Sequence, residues 1–404
     1  MPFFVTGHGA HADWRVALET AAAQVDEQLA RAAAAEHGAA AAPTLGFVYF
    51  TDAYIAQAEA LLEALRARWP GLSWVGCVGI GVAAGDVEHF DEPALVLMLA
   101  PLAADSFEVF SGAQPISRIQ PFTALVHADP ATPDLSELVA EMSARTESSY
   151  LFGGLAASRG DTVQIADGVW RGGLSGVAFS ADVALVSRVT QGCQPVGRER
   201  VVTAAQRNVV IALDGEPALG CLLADLGIDN LDDPRPALPK LRGTLVGLAD
   251  ANDPLVGRGG QFGTDTRVRH LVGIDPGRQA VAVGDAVEPG MRLAFCTRDV
   301  QAARRDLVRI CSEIRDELES HVEPVAAGGL PSAEPARRRI EGAIYVSCSG
   351  RGGPHFGGPS AELQIVRHAL GDVPLVGFFA AGEIARRHIY GYTGVLTVFT
   401  GAAG

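Results

Sequence analysis

The chain repeats one alternation of apolar and polar positions three times. In each copy, a β-rich apolar run precedes a stretch of helical periodicity and a second apolar run that contains or borders glycine. The successive segments of the three copies are Leu45–Phe50, Tyr54–Trp69 and Trp74–Gly79; Ala124–His127, Leu135–Arg145 and Leu151–Ala156; and Ile344–Ser347, Ser360–Leu370 and Leu375–Ala380. This spacing predicts a strand–helix–strand unit in each copy, because parallel neighbouring strands need a crossover connection.

A further apolar run follows each copy, at Ala94–Leu99, Leu174–Phe179 and Thr393–Phe399. β-rich stretches without an intervening helix, such as Val183–Thr190 and Val209–Leu213, favour additional antiparallel strands. Chance similarity between Ala- and Gly-rich segments is the competing explanation of the recurrence. We predict an α/β protein of two related halves, with mixed sheets, repeated strand–helix–strand units and helices packed on the sheets.

The boundary between the two halves is predicted from a stretch rich in Pro and Asp, Asp225–Lys240. Such composition is typical of a connection between domains, and 404 residues are many for a single core. We place the N-terminal domain at residues 1–235 and the C-terminal domain at residues 236–404.

Composition narrows the class of protein. A formal net charge of −15 is unfavourable for binding nucleic acid or an anionic membrane. The six cysteines form no C-x-x-C pair, which favours reduced thiols over a disulfide scaffold or a zinc site. The N-terminus lacks a signal-peptide pattern, and the longest apolar run, Ala94–Ala104, is too short to span a membrane. We therefore expect a cytoplasmic protein without membrane insertion.

Candidate binding chemistry is concentrated in three strings, Ser347–Gly352, Gly377–Ile384 and Tyr390–Gly394. Each string lies where a predicted strand meets a turn. Together they contain a thiol, a guanidinium group, a carboxylate and two phenols, so they can form one polar pocket at a sheet edge.

Arg351 and Glu383 are the two charged candidates. Arg351 lies between glycines, and its planar guanidinium suits a ligand carboxylate; an ion pair with Glu362 or Glu383 is the structural alternative. Glu383 follows an apolar strand end and needs a partner there, because burying an unpaired carboxylate is costly. That partner is a ligand amine, or else Arg351 or Arg386.

Cys348 is a candidate nucleophile, because a thiol beside Arg351 and exposed amides can have a lowered pKa. Its sequence neighbourhood offers only His355 as a base. Free cysteines are also among the most buried residues. We favour a buried thiol, and we predict neither a catalytic residue nor a metal site.

The predicted ligand-binding residues are Cys348, Ser349, Arg351, Gly377, Phe379, Glu383, Tyr390 and Tyr392, with Gly76, Gly153 and Gly154 from the corresponding turns of the earlier copies. Tyr390 and Tyr392 are placed to cap a pocket, although two tyrosines on a half-buried sheet are also common in cores. The glycines leave room for close backbone packing or for a ligand.

At these strings the chain resembles the FIST family, which pairs a FIST N domain with a FIST C domain. Ser347–Gly352, Gly377–Ile384 and Gly391–Thr393 carry the resemblance in the C-terminal half. Phe152–Gly154 and the turn at Gly76–Gly81 resemble the N-terminal half.

The resemblance implies a non-catalytic bacterial sensor for signal transduction that binds a small, amino-acid-like ligand. We expect the ligand carboxylate on Arg351 and its amine on Glu383, and a separate signalling output protein as partner. We predict no cofactor. Some members are similar to haem proteins that sense nitric oxide, so a haem-based gas sensor is the alternative. A thiol-dependent enzyme using Cys348 is a third hypothesis.

Overall fold

The computed structural model describes residues 4–35, 42–229, 235, 237–251, 255, 262–263, 266–320 and 338–402. The helices are α1 (Trp14–Ala35), α2 (Ala58–Arg68), α3 (Leu135–Ala144), α4 (Ala218–Leu226), α5 (Leu238–Gly243), α6 (Val300–Ser320), α7 (Gly353–Phe356) and α8 (Ala361–Leu370). A 3₁₀ helix at Asp52–Gln57 precedes α2.

The strands in the first part of the chain are β1 (Val5–Ala10), β2 (Leu45–Thr51), β3 (Ser73–Gly79), β4 (Gly81–Ala84), β5 (Val87–Phe90), β6 (Ala94–Ala100), β7 (Phe107–Phe110), β8 (Thr123–Ala128), β9 (Tyr150–Leu155), β10 (Gln164–Ala166), β11 (Val169–Trp170), β12 (Leu174–Phe179) and β13 (Leu185–Gln191). The remaining strands are β14 (Cys193–Pro195), β15 (Arg200–Gln206), β16 (Val209–Leu213), β17 (Glu216–Pro217), β18 (Thr244–Ala249), β19 (Arg267–Asp275), β20 (Ala280–Val283), β21 (Arg292–Arg298), β22 (Arg338–Cys348), β23 (Leu375–Ala380), β24 (Glu383–Arg386), β25 (His388–Tyr390) and β26 (Thr393–Ala402).

The chain forms two compact units. The first unit comprises Met1–Thr190, Leu307–Ile389 and Thr393–Gly404, and the second comprises Gln191–Asp306 and Tyr390–Tyr392. Most of the second unit is therefore inserted in sequence between β13 and β22. The predicted domain boundary at residues 235 and 236 adjoins positions outside the described residues, and it stays a prediction.

Three repeats build the first unit. The first repeat contains β2, α2, β3 and β6; the second contains β8, α3, β9 and β12; the third contains β22, α8, β23 and β26. In each repeat the helix connects two parallel strands, and the last strand pairs antiparallel with the first. The predicted mixed α/β class with repeated strand–helix–strand units is confirmed.

Each repeat also donates its next hairpin to the sheet of another repeat. Strands β4–β5 of the first repeat join β23, strands β10–β11 of the second join β3, and strands β24–β25 of the third join β9. The three six-stranded sheets consequently share one order: β1-β6-β2-β3-β10-β11, β7-β12-β8-β9-β24-β25 and β13-β26-β22-β23-β4-β5. This cyclic exchange links all three sheets.

One glycine in each repeat lies against the backbone of the preceding parallel strand. A methyl carbon on the glycine would be 1.7 Å from the carbonyl oxygen of Val48 at Gly76, 2.0 Å from that of Val126 at Gly153 and 1.8 Å from that of Tyr345 at Gly377. No side chain fits at such distances. The recurrent glycines are therefore explained by close strand approach in the same place of each repeat.

The three sheets contribute to a common aromatic core. Phe399 of β26 contacts Phe47 of β2 at a ring-centroid distance of 6.0 Å and Phe179 of β12 at 5.8 Å. Tyr49, also in β2, stacks on Phe378 of β23 at 4.9 Å and contacts the ring of His127 in β8 at 5.5 Å. Each group takes one ring from each sheet, so side-chain packing as well as strand exchange joins the repeats.

The edge strands β1, β7 and β13 are followed by different segments. The first repeat inserts α1 between β1 and β2, and the third has α6 between β13 and β22. Gln24 and Gln28 of α1 exchange hydrogen bonds with the backbone of Thr6 and His8, which satisfies these two residues on the open edge of β1. The second repeat has no helix between β7 and β8.

The second unit contains an antiparallel barrel. Strands β15, β16, β20, β19, β18 and β21 pair in this order, and β21 pairs with β15 to close the sheet. Its apolar interior includes Val210, Leu222, Val246, Val281 and Phe295. No helix among the described residues is long and apolar enough to cross a membrane.

Candidate functional site

A buried ion pair lies at the C-terminal end of β22. Arg351 is 3% exposed, and Glu362, in the first turn of α8, is fully buried. The Nε and Nη2 atoms of Arg351 each lie 2.8 Å from Oε1 of Glu362. The guanidinium also covers the ring of Phe356, 5.1 Å from its centroid. The structure thus shows one of the two ion pairs that the sequence left open.

Glu362 accepts several further hydrogen bonds. Tyr345 donates its hydroxyl to Oε1 at 2.6 Å, and Ser347 donates its hydroxyl to Oε2 at 2.9 Å. The backbone N–H of Gly352 donates to Oε2 at 3.0 Å. A buried carboxylate with this many donors is well compensated for its lost hydration. The Glu362 carboxylate therefore fixes the turn that carries Arg351.

A second carboxyl, Glu88, lies beside this pair. Its oxygens accept the backbone N–H groups of Gly353 at 2.6 Å and Leu363 at 3.3 Å, at the N-termini of α7 and α8. Burial, followed by the charge of Glu362, raises the pKa of Glu88 to about 7. Since Glu88 belongs to the hairpin donated by the first repeat, two repeats contribute acidic groups here.

Glu383 is held differently from Glu362. It begins β24 and is fully buried, and its Oε2 accepts the backbone N–H of Thr393 at 3.1 Å and the Thr393 hydroxyl at 2.7 Å. Oε1 is also buried and accepts no N–H or O–H hydrogen bond among the described residues. Burial raises the pKa of Glu383 to about 8, although the Thr393 donors, the Arg351 charge and the Cys348 thiol oppose the rise.

Cys348 ends β22 and is 8% exposed. Its thiol interacts with the carboxyl group of Glu383. With a pKa of about 8, that carboxyl is mostly protonated at neutral pH, so it is a poor acceptor for the thiol proton. This placement supports the expectation of a buried thiol more than that of a nucleophile.

The remaining predicted residues of the first unit lie nearby or support the sheets. Ser349 is exposed in the turn after β22, and its N–H donates to Ala380 at 2.8 Å. Phe379 is buried against Phe90, with 4.1 Å between ring centroids. Gly154 pairs with Glu383 across β9 and β24. The positions Gly76, Gly153 and Gly377 face backbone carbonyls, as described above, and their assignment to a ligand stays a prediction.

Tyr390 and Tyr392 are grouped with the second unit. Tyr390 is buried, whereas Tyr392 lies in the turn between β25 and β26 with φ of 62°. The Tyr392 hydroxyl is 2.8 Å from Nε2 of His270, and Arg298 lies over its ring at 5.4 Å. These contacts lie within the second unit.

His127 is a buried polar group that the sequence analysis did not single out. Its Nε2 is 3.2 Å from the Tyr49 hydroxyl, and its Nδ1 has no hydrogen-bond partner among the described residues. Burial lowers the pKa of His127 to about 3, so the ring is neutral. A histidine inside an otherwise apolar strand run was the signal that could have identified it.

Three cavities are described in the first unit. The largest, about 590 Å³, lies between α3 and residues 110–121. Two smaller cavities of about 340 and 430 Å³ share Asp86, Arg367, Gly371 and Asp372. None of these three is lined by Arg351 or Glu383, both of which are buried.

The described cavities do not fit haem. Haem needs an axial His, Cys, Met or Tyr ligand facing a large apolar pocket. The apolar cavity has Met142 as its sole residue of these types, and this side chain packs against the apolar core under α3; the cavity lined by His368 is polar and acidic. The buried His127 ring is packed between Tyr49 and Phe378.

The fold and site define an internally repeated α/β protein with a buried cluster of charged side chains. Residues 44–216 match the FIST N domain, and residues 218–386 match the FIST C domain. The chain is 30% identical to the uncharacterized protein Rv0628c of Mycobacterium tuberculosis over 96% of its length and 97% of that protein. It is also 30% identical to the uncharacterized protein Mb0898c of Mycobacterium bovis, with 96% of each chain covered.

The chain therefore belongs to the FIST family. FIST domains are associated with sensory signal transduction. Both relatives are uncharacterized proteins.

Proposed function

We propose that this protein is a non-catalytic, cytoplasmic sensor of a small amino-acid-like ligand and transmits its state to a separate output protein. The observation that carries the proposal is Oε1 of Glu383, a buried carboxyl oxygen without an N–H or O–H donor among the described residues. A ligand ammonium group supplies that donor, and it favours ionisation of the carboxyl group.

Arg351 provides the complementary charge. In the described state its guanidinium is bound by Glu362. A ligand carboxylate competes with Glu362 for the same planar group, since a guanidinium group donates strong hydrogen bonds to any carboxylate. Ligand binding then exchanges one partner of Arg351 for another and changes the turn between β22 and α8.

Burial of the site favours sensing over simple transport of a ligand. Arg351 and Glu383 are 3% and 0% exposed, so a ligand reaches them only when the covering elements move. A ligand that binds only the opened state shifts the population toward that state. The rearranged surface is what an output protein would recognise.

A thermal-shift series with the twenty common amino acids tests the proposal. A ligand at 100 times its Kd is expected to stabilise the protein by about 2.7 kcal/mol. Glu383→Gln should preserve the fold and lose this response, because the amide cannot pair with an ammonium. Glu59→Gln, on the exposed surface of α2, is the control and should keep the response. Absence of stabilisation by any amino acid, or a full response in Glu383→Gln, contradicts the proposal.

Alkylation resolved by site tests the non-catalytic assignment. Cys348 is buried, whereas Cys221 is half-buried. With iodoacetamide at neutral pH, we expect Cys221 to be modified faster than Cys348. Preferential modification of Cys348 would favour the thiol-enzyme hypothesis instead.

A further inference from the structure

The second repeat has a cavity where the other two repeats have a covering helix. Residues 111–122 connect β7 to β8 in the second repeat. At the corresponding position, before the first parallel strand, the first repeat has α1 and the third repeat has α6. The cavity of about 590 Å³ is lined by that connection and by α3. Its apolar side chains are Phe110, Ile116, Ile119, Leu138, Met142 and Leu174.

In the first and third repeats, the covering helix contacts the end of the crossover helix. Arg68, the last residue of α2, pairs with Glu19 at 2.9 Å and Asp26 at 2.7 Å, both on α1. Arg315 of α6 donates to the carbonyl of Ala369 near the end of α8. The equivalent end of α3 faces the cavity instead.

Arg145 is the cation at that end of α3. It precedes Gly153 by the same number of residues as Arg68 precedes Gly76, so the two arginines occupy equivalent places in their repeats. Arg68 meets two carboxylates of α1, and Arg145 has a 4.0 Å contact with Glu141 of its own helix. Both Arg145 and Glu141 line the cavity.

The loop over the cavity is held in a fixed shape. Glu108 of β7 is 3% exposed, and its Oε2 accepts the backbone N–H groups of Ser117 at 3.1 Å, Arg118 at 2.7 Å and Ile119 at 3.2 Å. Burial alone would raise the pKa of Glu108, but these donors and Arg118 outweigh it and lower the pKa. The cavity is therefore preformed by a buried anion rather than left by a loose loop.

Its size selects a small molecule over a helix. A helix of 22 residues, the length of α1, is about 33 Å long and 10 Å across, which corresponds to about 2,600 Å³. The cavity has less than about one quarter of that volume, and it lies within the usual range for small-ligand pockets, roughly 300 to 1,000 Å³.

We propose that this cavity binds a small organic anion with an apolar body. The apolar body packs among Phe110, Ile119, Leu138 and Met142. The anionic group pairs with Arg145, as the carboxylates of α1 pair with Arg68 in the first repeat. This site is separate from Arg351 and Glu383, so either site can fail its test while the other stands.

Fluorescence titration with 1-anilinonaphthalene-8-sulfonate, an apolar anion, tests the proposal on the full chain, with displacement by decanoate and by neutral decanol. We expect saturable one-to-one binding that both compounds reverse, with decanoate more potent. Leu138→Trp should weaken probe binding at least tenfold by filling the cavity, and the 37% exposure of Leu138 makes this change compatible with folding. Val16→Trp, at an exposed site on α1, is the matched control and should bind normally.

Two substitutions that each remove a charge should have opposite effects on the affinity for decanoate. Arg145→Gln should weaken the binding of decanoate about two- to fivefold and leave the binding of decanol unchanged, as expected for an exposed ion pair. Glu141→Gln should strengthen the binding of decanoate, because it removes the carboxylate that competes for Arg145. No probe binding, or equal binding by wild type and Leu138→Trp, overturns the proposal. Displacement by a peptide of residues 14–35 at lower concentration than decanoate overturns it in favour of helix docking.

Discussion

Two buried carboxyl groups within one cluster have different surroundings. Glu362 accepts hydrogen bonds from Arg351, Tyr345, Ser347 and Gly352, whereas Oε2 of Glu383 accepts from the N–H and hydroxyl groups of Thr393. The first group holds Arg351 and the turn that follows β22. The second, Glu383, is stabilised in its protonated form, because burial disfavours the ionised carboxylate and raises its pKa.

Glu383→Gln should make the stability of the protein less dependent on pH between about 4.5 and about 8. The pKa of Glu383 is raised from 4.5 to about 8, so between these values the unfolded state loses a proton that the folded state keeps. Wild-type stability from this group therefore falls as pH rises from about 4.5 to about 8, by on the order of a few kcal/mol. The free energy of unfolding of Glu383→Gln relative to wild type should rise over this interval in urea denaturation.

A constant difference between these two proteins from pH 5 to pH 8.5 would contradict a raised pKa at Glu383. Glu59→Gln, which removes an exposed carboxyl group, serves as the control for the loss of one carboxyl group.

Glu362→Gln should destabilise the protein by about 3 to 5 kcal/mol, because it removes the carboxylate that is paired with the buried Arg351. Glu19→Gln removes an exposed partner of Arg68 and should cost less than about 1 kcal/mol. Urea denaturation of both variants measures the contrast. Equal effects would mean that the buried pair contributes no more than a surface pair.

At the level of elements, the sequence predicted the repeat closely. The predicted helix Leu135–Arg145 is α3, Leu135–Ala144, and the predicted strand Ala124–His127 is β8, Thr123–Ala128. These elements were predictable because their burial follows a local period of apolar residues. The destinations of β4, β10 and β24 were not predicted, since pairing partners distant in sequence leave no local periodicity.

Gly153→Ala should destabilise the second repeat by about 3 kcal/mol or more, because its methyl group would lie 2.0 Å from the carbonyl oxygen of Val126. Gly160→Ala is the matched control, since nothing lies within 4 Å of its added methyl group. That change should be neutral or slightly stabilising. Thermal unfolding compares the two, and equal melting temperatures would exclude close strand approach as the reason for Gly153.

At the level of the whole molecule, the hairpin exchange makes the three sheets of the first unit interdependent. The sheet of the third repeat contains β4–β5 from the first, and its own β24–β25 belong to the sheet of the second. Aromatic contacts at Phe399 reach β2 and β12 as well. Loosening one sheet should consequently loosen the others.

Leu375→Ala in β23 tests this interdependence. The side chain is 2% exposed, and its truncation should cost about 2 to 5 kcal/mol. Hydrogen exchange measured by mass spectrometry should show faster exchange in β2 and β8 as well as in β22 and β23. Faster exchange restricted to the sheet that contains β23 would show that the sheets open independently. Gly160→Ala should leave exchange in all of them unchanged.

The sequence by itself determined the mixed α/β class, the three strand–helix–strand units and the polar strings at Cys348–Arg351 and Glu383. These features depend on local periodicity and on residue chemistry. Tertiary structure decided that Arg351 binds Glu362, that His127 and Glu108 are buried, and that a cavity takes the place of a helix in the second repeat. Such properties depend on which distant strands pair and which space remains between them, and the energy of those contacts is absent from any local pattern.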